Sequence, residues 1–191
     1  MRDFLKHFKY VMSENPVTAL AFGLFLVIVL VGIFGPMIAP YDPLASNTAI
    51  ALQPPSWSHL FGTDNLGRDV FSRVIVATRL DLSISVAAVA LSFVIGSVLG
   101  SIAGFFGGWL DKIVGRVTDT IMAFPLFVLA MGIVAALGNT VENIVYATAI
   151  INLPFYTRFA RAEVNVRRDA GFVAAARLAG NSDMRLLAVQ V

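Results

Sequence analysis

The chain has 191 residues, of which 58% are hydrophobic and only 14% charged, and its mean hydropathy is +0.80. Soluble domains carry about 25% charged residues, so this composition excludes both a water-soluble globule and a disordered chain. The absence of cysteine removes disulfides, cysteine zinc sites and thiol chemistry, and a formal net charge of +2 gives no ground for nucleic-acid binding.

In chain order, residues 1–14 form a polar tail carrying Arg2, Lys6 and Lys9. Next comes Asn15–Tyr41, 27 residues without Asp, Glu, Lys or Arg. A bilayer crossing takes about 20 apolar residues and a signal-peptide core only about 7–15, so this run reads as a retained membrane helix. Residues 42–81 form a polar loop with Pro43, Pro54 and Pro55 in its first part. Within it, Thr63 or Asp64 can cap a helix starting near Asn65. Leu66, Val70 and Val74 give that helix an apolar stripe, and Arg68, Asp69 and Arg73 are expected to face water or headgroups. The spacing predicts an interfacial helix leading into a second span.

Residues 82–191 hold the rest of the membrane-embedded part. Leu82–Leu110 is a second charge-free run, of 29 residues. Ala88, Ser92, Gly96, Gly100, Gly104 and Gly108 recur in it at every fourth position, with Ser97 and Ser101 beside them. Small residues at that spacing make a smooth ridge that lets another helix approach closely. The ridge fits a helix lining a transport path or ordinary helix packing, and it does not name its partner. The loop 111–119 carries Lys112 and Arg116 and leads to Thr120–Val141, a third run of 22 residues. Gly138–Asn143 reads as a tight turn. The fourth run, Asn143–Thr157, has only 15 residues. It crosses only with Glu142 and Arg158 at the interfaces, and Pro154 is expected to kink or end it; a re-entrant segment is the other reading. The tail 158–191 reads as helix, stop, helix. Ala174–Ala179 favour a helix, Gly180 suits a left-handed corner, and Ser182 or Asp183 can cap the second helix. Such a pair makes either a knob for a soluble partner or an amphipathic helix on lipid.

Eleven of the 14 Lys and Arg residues lie in the N-terminal tail, the 111–119 loop and the C-terminal tail; Arg68, Arg73 and Arg79 lie in the 42–81 loop. The positive-inside rule therefore predicts four spans with both ends cytoplasmic, and it sets Arg158, Arg161, Arg167 and Arg168 where anionic headgroups would attract them. No Asp, Glu, Lys, Arg or His falls inside the four runs, and the sequence holds neither H-E-x-x-H nor G-x-x-x-x-G-K-[ST]. Proton relays, voltage sensing, membrane metalloproteolysis and ATP binding by a phosphate loop thus have no residues to carry them. Energy for any transport would come from another subunit.

Two polar segments carry a family resemblance. Phe61-Gly62-Thr63-Asp64, continuing through Gly67-Arg68-Asp69 to Ser72-Arg73, is similar to a signature of the second permease in ATP-binding-cassette importers for dipeptides, oligopeptides, nickel and glutathione. Ala175-Ala176-Arg177, Gly180 and Ser182-Asp183 resemble the "EAA" loop of importer permeases, although its glutamate position holds Ala174. The resemblance covers the whole chain. It implies an all-α, polytopic inner-membrane protein of the type I importer permease (MetI-like) fold, of which four of six helices are present. Members continue with a Leu-Pro-Asn-like turn and two further spans, so the chain is expected to be an N-terminal portion. It further implies a second homologous permease, two cytoplasmic ATPases that bind the ATP, a periplasmic binding protein, and no cofactor or catalytic residue in this subunit. Phe172, Ala175, Ala176, Gly180, Ser182 and Asp183, within a coupling segment 171–191, are implied as the ATPase contact. The outer motif would shape the periplasmic mouth, and Ser92, Gly96, Gly100 and Gly104 would serve helix packing. The rival expectation is a stand-alone four-helix channel or scaffold.

Overall fold

A computed structural model describes residues 10–191 and is built from helices; among the described residues there is no strand, only an isolated bridge between Thr63 and Asp69. Arg2, Lys6 and Lys9 lie outside the described residues. The chain divides into two compact units, 1–83 and 84–191.

In the first unit, α1 (Pro16–Ile38) starts on Asn15, whose side chain accepts the Thr18 amide, with Pro16 in the first turn where its missing N–H costs nothing. Large apolar side chains lie exposed all around it, as a helix solvated by lipid requires. Its two buried residues are Gly32 and Gly35. A Cβ on Gly32 would stand 2.5 Å from Leu82 Cδ1, and one on Gly35 would stand 2.6 Å from the Ile75 carbonyl oxygen. This glycine notch seats α1 on the first turns of α2.

The helix α2 (Val70–Phe106) runs 37 residues without a break. The sequence predicts two elements here, an interfacial helix from about Asn65 and a span from Leu82; the structure has one. Gly67 ends that expectation on the early side. Its φ is +70°, and a Cβ there would collide with the Asn47 carbonyl. Nothing separates the two on the late side, because Val70–Leu82 contains neither Gly nor Pro. At about 1.5 Å per residue α2 is far longer than the roughly 30 Å hydrocarbon core, so its first turns, with Arg73, Arg79 and Asp81, can stand outside it.

In the second unit the small-residue ridge finds its partner within the same chain. Ala88, Ser92, Gly96, Gly100 and Gly104 are buried. Cβ atoms on Gly96 and Gly104 would stand 2.9 and 2.8 Å from the carbonyl oxygens of Leu153 and Arg161, and one on Gly100 would strike the Thr157 carbonyl. All three lie on α5 (Val141–Arg167). Gly108 lies past the end of α2 and is exposed, so the ridge stops at Gly104.

The third charge-free run is not one helix. It divides between α3 (Gly108–Ala123) and α4 (Leu126–Leu137), bent by 98° at Phe124-Pro125. Pro125 biases Phe124 to extended backbone, and Phe124 has φ −87° and ψ 142°. Pro154 does not end its helix: α5 continues through it for all 27 residues. Pro154 is fully buried, and the packing of Leu153 and Thr157 on the glycine ridge secures the helix on both sides of the missing donor.

Candidate functional site

The first candidate is the connection from α1 to α2. Asp64 organises its turn: Oδ1 accepts the amides of Leu66 (2.8 Å) and Arg68 (3.0 Å), and Oδ2 accepts Arg68 Nε (2.8 Å), with Arg73 Nε at 3.7 Å. Desolvation opposes its charge, but these donors outweigh it and hold the carboxyl below the usual value. Thr63 Oγ1 accepts the Gln53 amide and donates to the Ile50 carbonyl. Gly62, at φ +73°, lies where a Cβ would meet the Gln53 carbonyl.

Neither Thr63 nor Asp64 caps the helix. Asp69 does: its Oδ2 accepts both the amide and the hydroxyl of Ser72 at 2.7 Å, while Oδ1 lies 2.9 Å from His59 Nδ1. Asp69 is 4% exposed, where the sequence reading expected it in water. Burial opposes its ionisation, yet the Ser72 and His59 bonds win and its pKa is lowered. Ser72 Oγ in turn accepts the Tyr41 amide, and the Tyr41 ring lies 4.9 Å from that of His59. A serine, an aspartate and a histidine thus meet, but in an order that cannot make a nucleophile. Ser72 is fully buried and donates to the carboxylate, and the imidazole lies on that carboxylate's other oxygen. The group staples the loop onto the start of α2. His59 and Tyr41 are members that the sequence reading missed, since each stands many residues from its partner.

The second candidate is the segment after α5. Here α6 (Gly171–Leu178) and α7 (Asp183–Val189) meet at a corner. Gly180 has φ +86°, the left-handed conformation expected of it, and its amide donates to the Arg177 carbonyl. Asn181 Nδ2 donates to the Ala176 carbonyl at 2.8 Å. Ser182 stands at the cap position of α7 without a side-chain cap bond, and Asp183 pairs with Arg177 at 3.2 Å rather than capping. Val173 and Leu186, both at 0% exposure, close a small core with Phe105 and Val164. Phe172, Ala175, Gly180, Ser182 and Asp183 are exposed; Ala176 instead packs against that core. Two large apolar residues that the sequence reading did not single out, Leu178 and Met184, are also exposed.

The arginines near this segment have partners within the chain. Arg158 meets Asp119 at 2.5 Å, Arg161 forms a two-pronged pair with Asp111 at 2.5 and 2.8 Å, and Arg167 meets Glu163 at 2.6 Å. Arg168 reaches the Gly104 carbonyl at 2.8 Å, satisfying an acceptor at the end of α2. The first two pairs tie α3 to the last turns of α5.

Residues 96–190 match the model of the "binding-protein-dependent transport system inner membrane component", and residues 1–55 match the "N-terminal TM domain of oligopeptide transport permease C". The chain belongs to this permease family. It is 38% identical to a probable D,D-dipeptide transport system permease protein of Escherichia coli, over 93% of this chain and 60% of the relative. It is 41% identical to a di/tripeptide transport system permease protein of Pseudomonas aeruginosa, over 87% of this chain and 57% of the relative. A glutathione transport system permease protein of Pectobacterium atrosepticum is 35% identical over 88% of this chain and 57% of the relative. The chain thus spans about 60% of the length of the curated relatives it matches. Both family models describe membrane components of transport systems, and the long apolar helices of this chain agree with a membrane setting.

Proposed function

We propose that this permease forms part of the path for peptides or related small solutes in an ATP-binding-cassette importer, and that its α6–α7 knob docks in a groove of a cytoplasmic ATPase. The observation that carries this reading is the knob itself. It buries Val173 and Leu186 in a core shared with Phe105 of α2 and Val164 of α5, turns at a left-handed glycine, and leaves Phe172, Leu178 and Met184 exposed on short helices that carry charge. Apolar side chains presented on a folded corner suit a protein groove. The knob joins the long α5 and, through the arginine–aspartate pairs, α3, so a push on it has a mechanical route into the membrane helices.

The reading includes four crossings, made by α1, α2, α4 and α5, with both ends cytoplasmic. The 12 residues of α4 rise only about 18 Å, and extended residues on either side add about 3.3 Å each, which brings 124–140 to membrane thickness. A homologous second permease, a paired ATPase and a periplasmic binding protein complete the assembly. The relatives named for D,D-dipeptide, di/tripeptide and glutathione transport support the peptide class.

The test is Gly180→Pro. Proline fixes φ near −65° against the observed +86° and removes the amide that donates to the Arg177 carbonyl. The variant is expected to insert into membranes normally and to lose co-purification with the ATPase. Normal co-purification would refute the docking role. A stand-alone channel or scaffold would bring no ATPase even with Gly180 intact.

A further inference from the structure

The helix α3 has an apolar face that nothing in its unit covers. Asp111, Val114, Gly115 and Thr118 turn toward α5 and are partly or fully buried. On the far side Trp109, Ile113 and Val117 recur every fourth residue, exposed at 69%, 52% and 52%. Lys112 and Arg116, also one turn apart, are exposed along one border of that stripe. The two carboxylates of the helix, Asp111 and Asp119, are taken by Arg161 and Arg158. What α3 offers outward is therefore net positive charge beside an apolar strip.

We infer that α3 lies in the plane of the membrane interface and binds anionic phospholipid, with Trp109, Ile113 and Val117 among the acyl chains and Lys112 and Arg116 on the headgroup phosphates. The 98° bend at Phe124-Pro125 supplies an independent argument. The apolar α4 belongs in the hydrocarbon, so a helix at right angles to it runs along the surface. The composition of α3 suits that position: Trp at the rim, cations on the border, and acidic groups turned away into ion pairs. The other arginines of the region, Arg158, Arg161, Arg167 and Arg168, already have protein partners, which leaves the phosphates to Lys112 and Arg116. The inference does not depend on ATPase docking, since it concerns lipid contact alone.

The chain has two tryptophans, so Trp57→Phe leaves Trp109 as the only one. The full chain carrying that change is placed in nanodiscs of phosphatidylcholine with phosphatidylglycerol, and bromine is put on the chains of one lipid or the other. Trp109 fluorescence is expected to be quenched by brominated lipid. At equal mole fraction, brominated phosphatidylglycerol should quench several-fold more, since each basic side chain near the surface favours an anionic headgroup by about fivefold. The double variant Lys112→Gln, Arg116→Gln should bring the two lipids to parity while Trp109 stays quenched by both. Arg185→Gln, an exposed cation outside α3, should leave the preference unchanged. Four results would overturn the inference. Quenching by aqueous iodide but not by lipid would place Trp109 in water. Shielding from both would mean that protein covers it. Equal quenching by the two lipids in the unmodified helix, or loss of preference in Arg185→Gln, would remove the specific phosphate contact.

Discussion

Asp69 shows how a residue at a motif position can carry its weight in structure. It caps α2, receives the Ser72 hydroxyl and holds His59, all while nearly buried. Asp69→Ala removes the cap and strands the imidazole, at a cost of about 1–2 kcal/mol, and limited proteolysis should then cut the 42–69 loop faster. The carboxyl is held below the ordinary 3.8 in the folded state. Its contribution is therefore complete above the unfolded value of about 3.9, and is lost only as the pH falls through the lowered folded value. Protease resistance of the loop should accordingly hold at neutral and mildly acidic pH and fail in strong acid. A loop that opened near pH 6 would contradict this. Gly62 and Gly67 complete the residue-scale account, because each occupies a left-handed position hard against a carbonyl.

At the scale of elements, the every-fourth ridge was legible in the sequence and its partner was not. Small residues announce a close approach, whereas Leu153, Thr157 and Arg161 meet the ridge with backbone atoms, which no side-chain pattern encodes. Gly100→Val would drive two methyls into the Thr157 carbonyl. It should destabilise the α2–α5 pair by about 3 kcal/mol or more, read as a lower midpoint of unfolding in detergent. Ser97→Val, one position off the ridge and only partly buried, should be mild by comparison. The sequence likewise announced the left-handed corner at Gly180, because that requirement is local. It misplaced the start of α2 and missed the break at Pro125, because charge-free length records hydropathy and not direction. A proline ends one helix at Phe124 and is carried inside another at position 154, where dense packing on the ridge decides the matter. The Asp111–Arg161 pair spans 50 residues and was out of reach of any spacing argument. It is half-shielded and two-pronged, so a double-mutant cycle with Asp111→Asn and Arg161→Gln should give a coupling of about 1 kcal/mol, above the few tenths of an exposed pair. A coupling near zero would mean that α3 is held by its apolar contacts alone.

For the molecule as a whole, the proposed transport reading depends on how many times the chain crosses the membrane. Among the described residues, two helices are long and apolar enough by themselves, and the bent pair α3–α4 makes either a third crossing or a re-entrant loop. These alternatives differ in one observable, the side on which Asn139 emerges. Asn139 lies in the exposed turn between α4 and α5, where Asn143 Nδ2 donates to the Leu137 and Gly138 carbonyls that end α4. The chain contains no cysteine, so single cysteines can be placed with no background. Trp57 and Leu178, at 98% and 91% exposure, mark the 42–69 loop and the knob. In intact cells, an impermeant maleimide is expected to label Trp57→Cys and Asn139→Cys from outside and to reach Leu178→Cys only after lysis. That pattern requires α4 to cross and α5 to return, and it puts the knob where an ATPase can bind it. Labelling of Asn139→Cys only after lysis, together with Leu178→Cys, would make α4 re-entrant and confine α5 to one side. The knob would then lose α5 as its route to the far side of the membrane, and the coupling through α5 would fail with it.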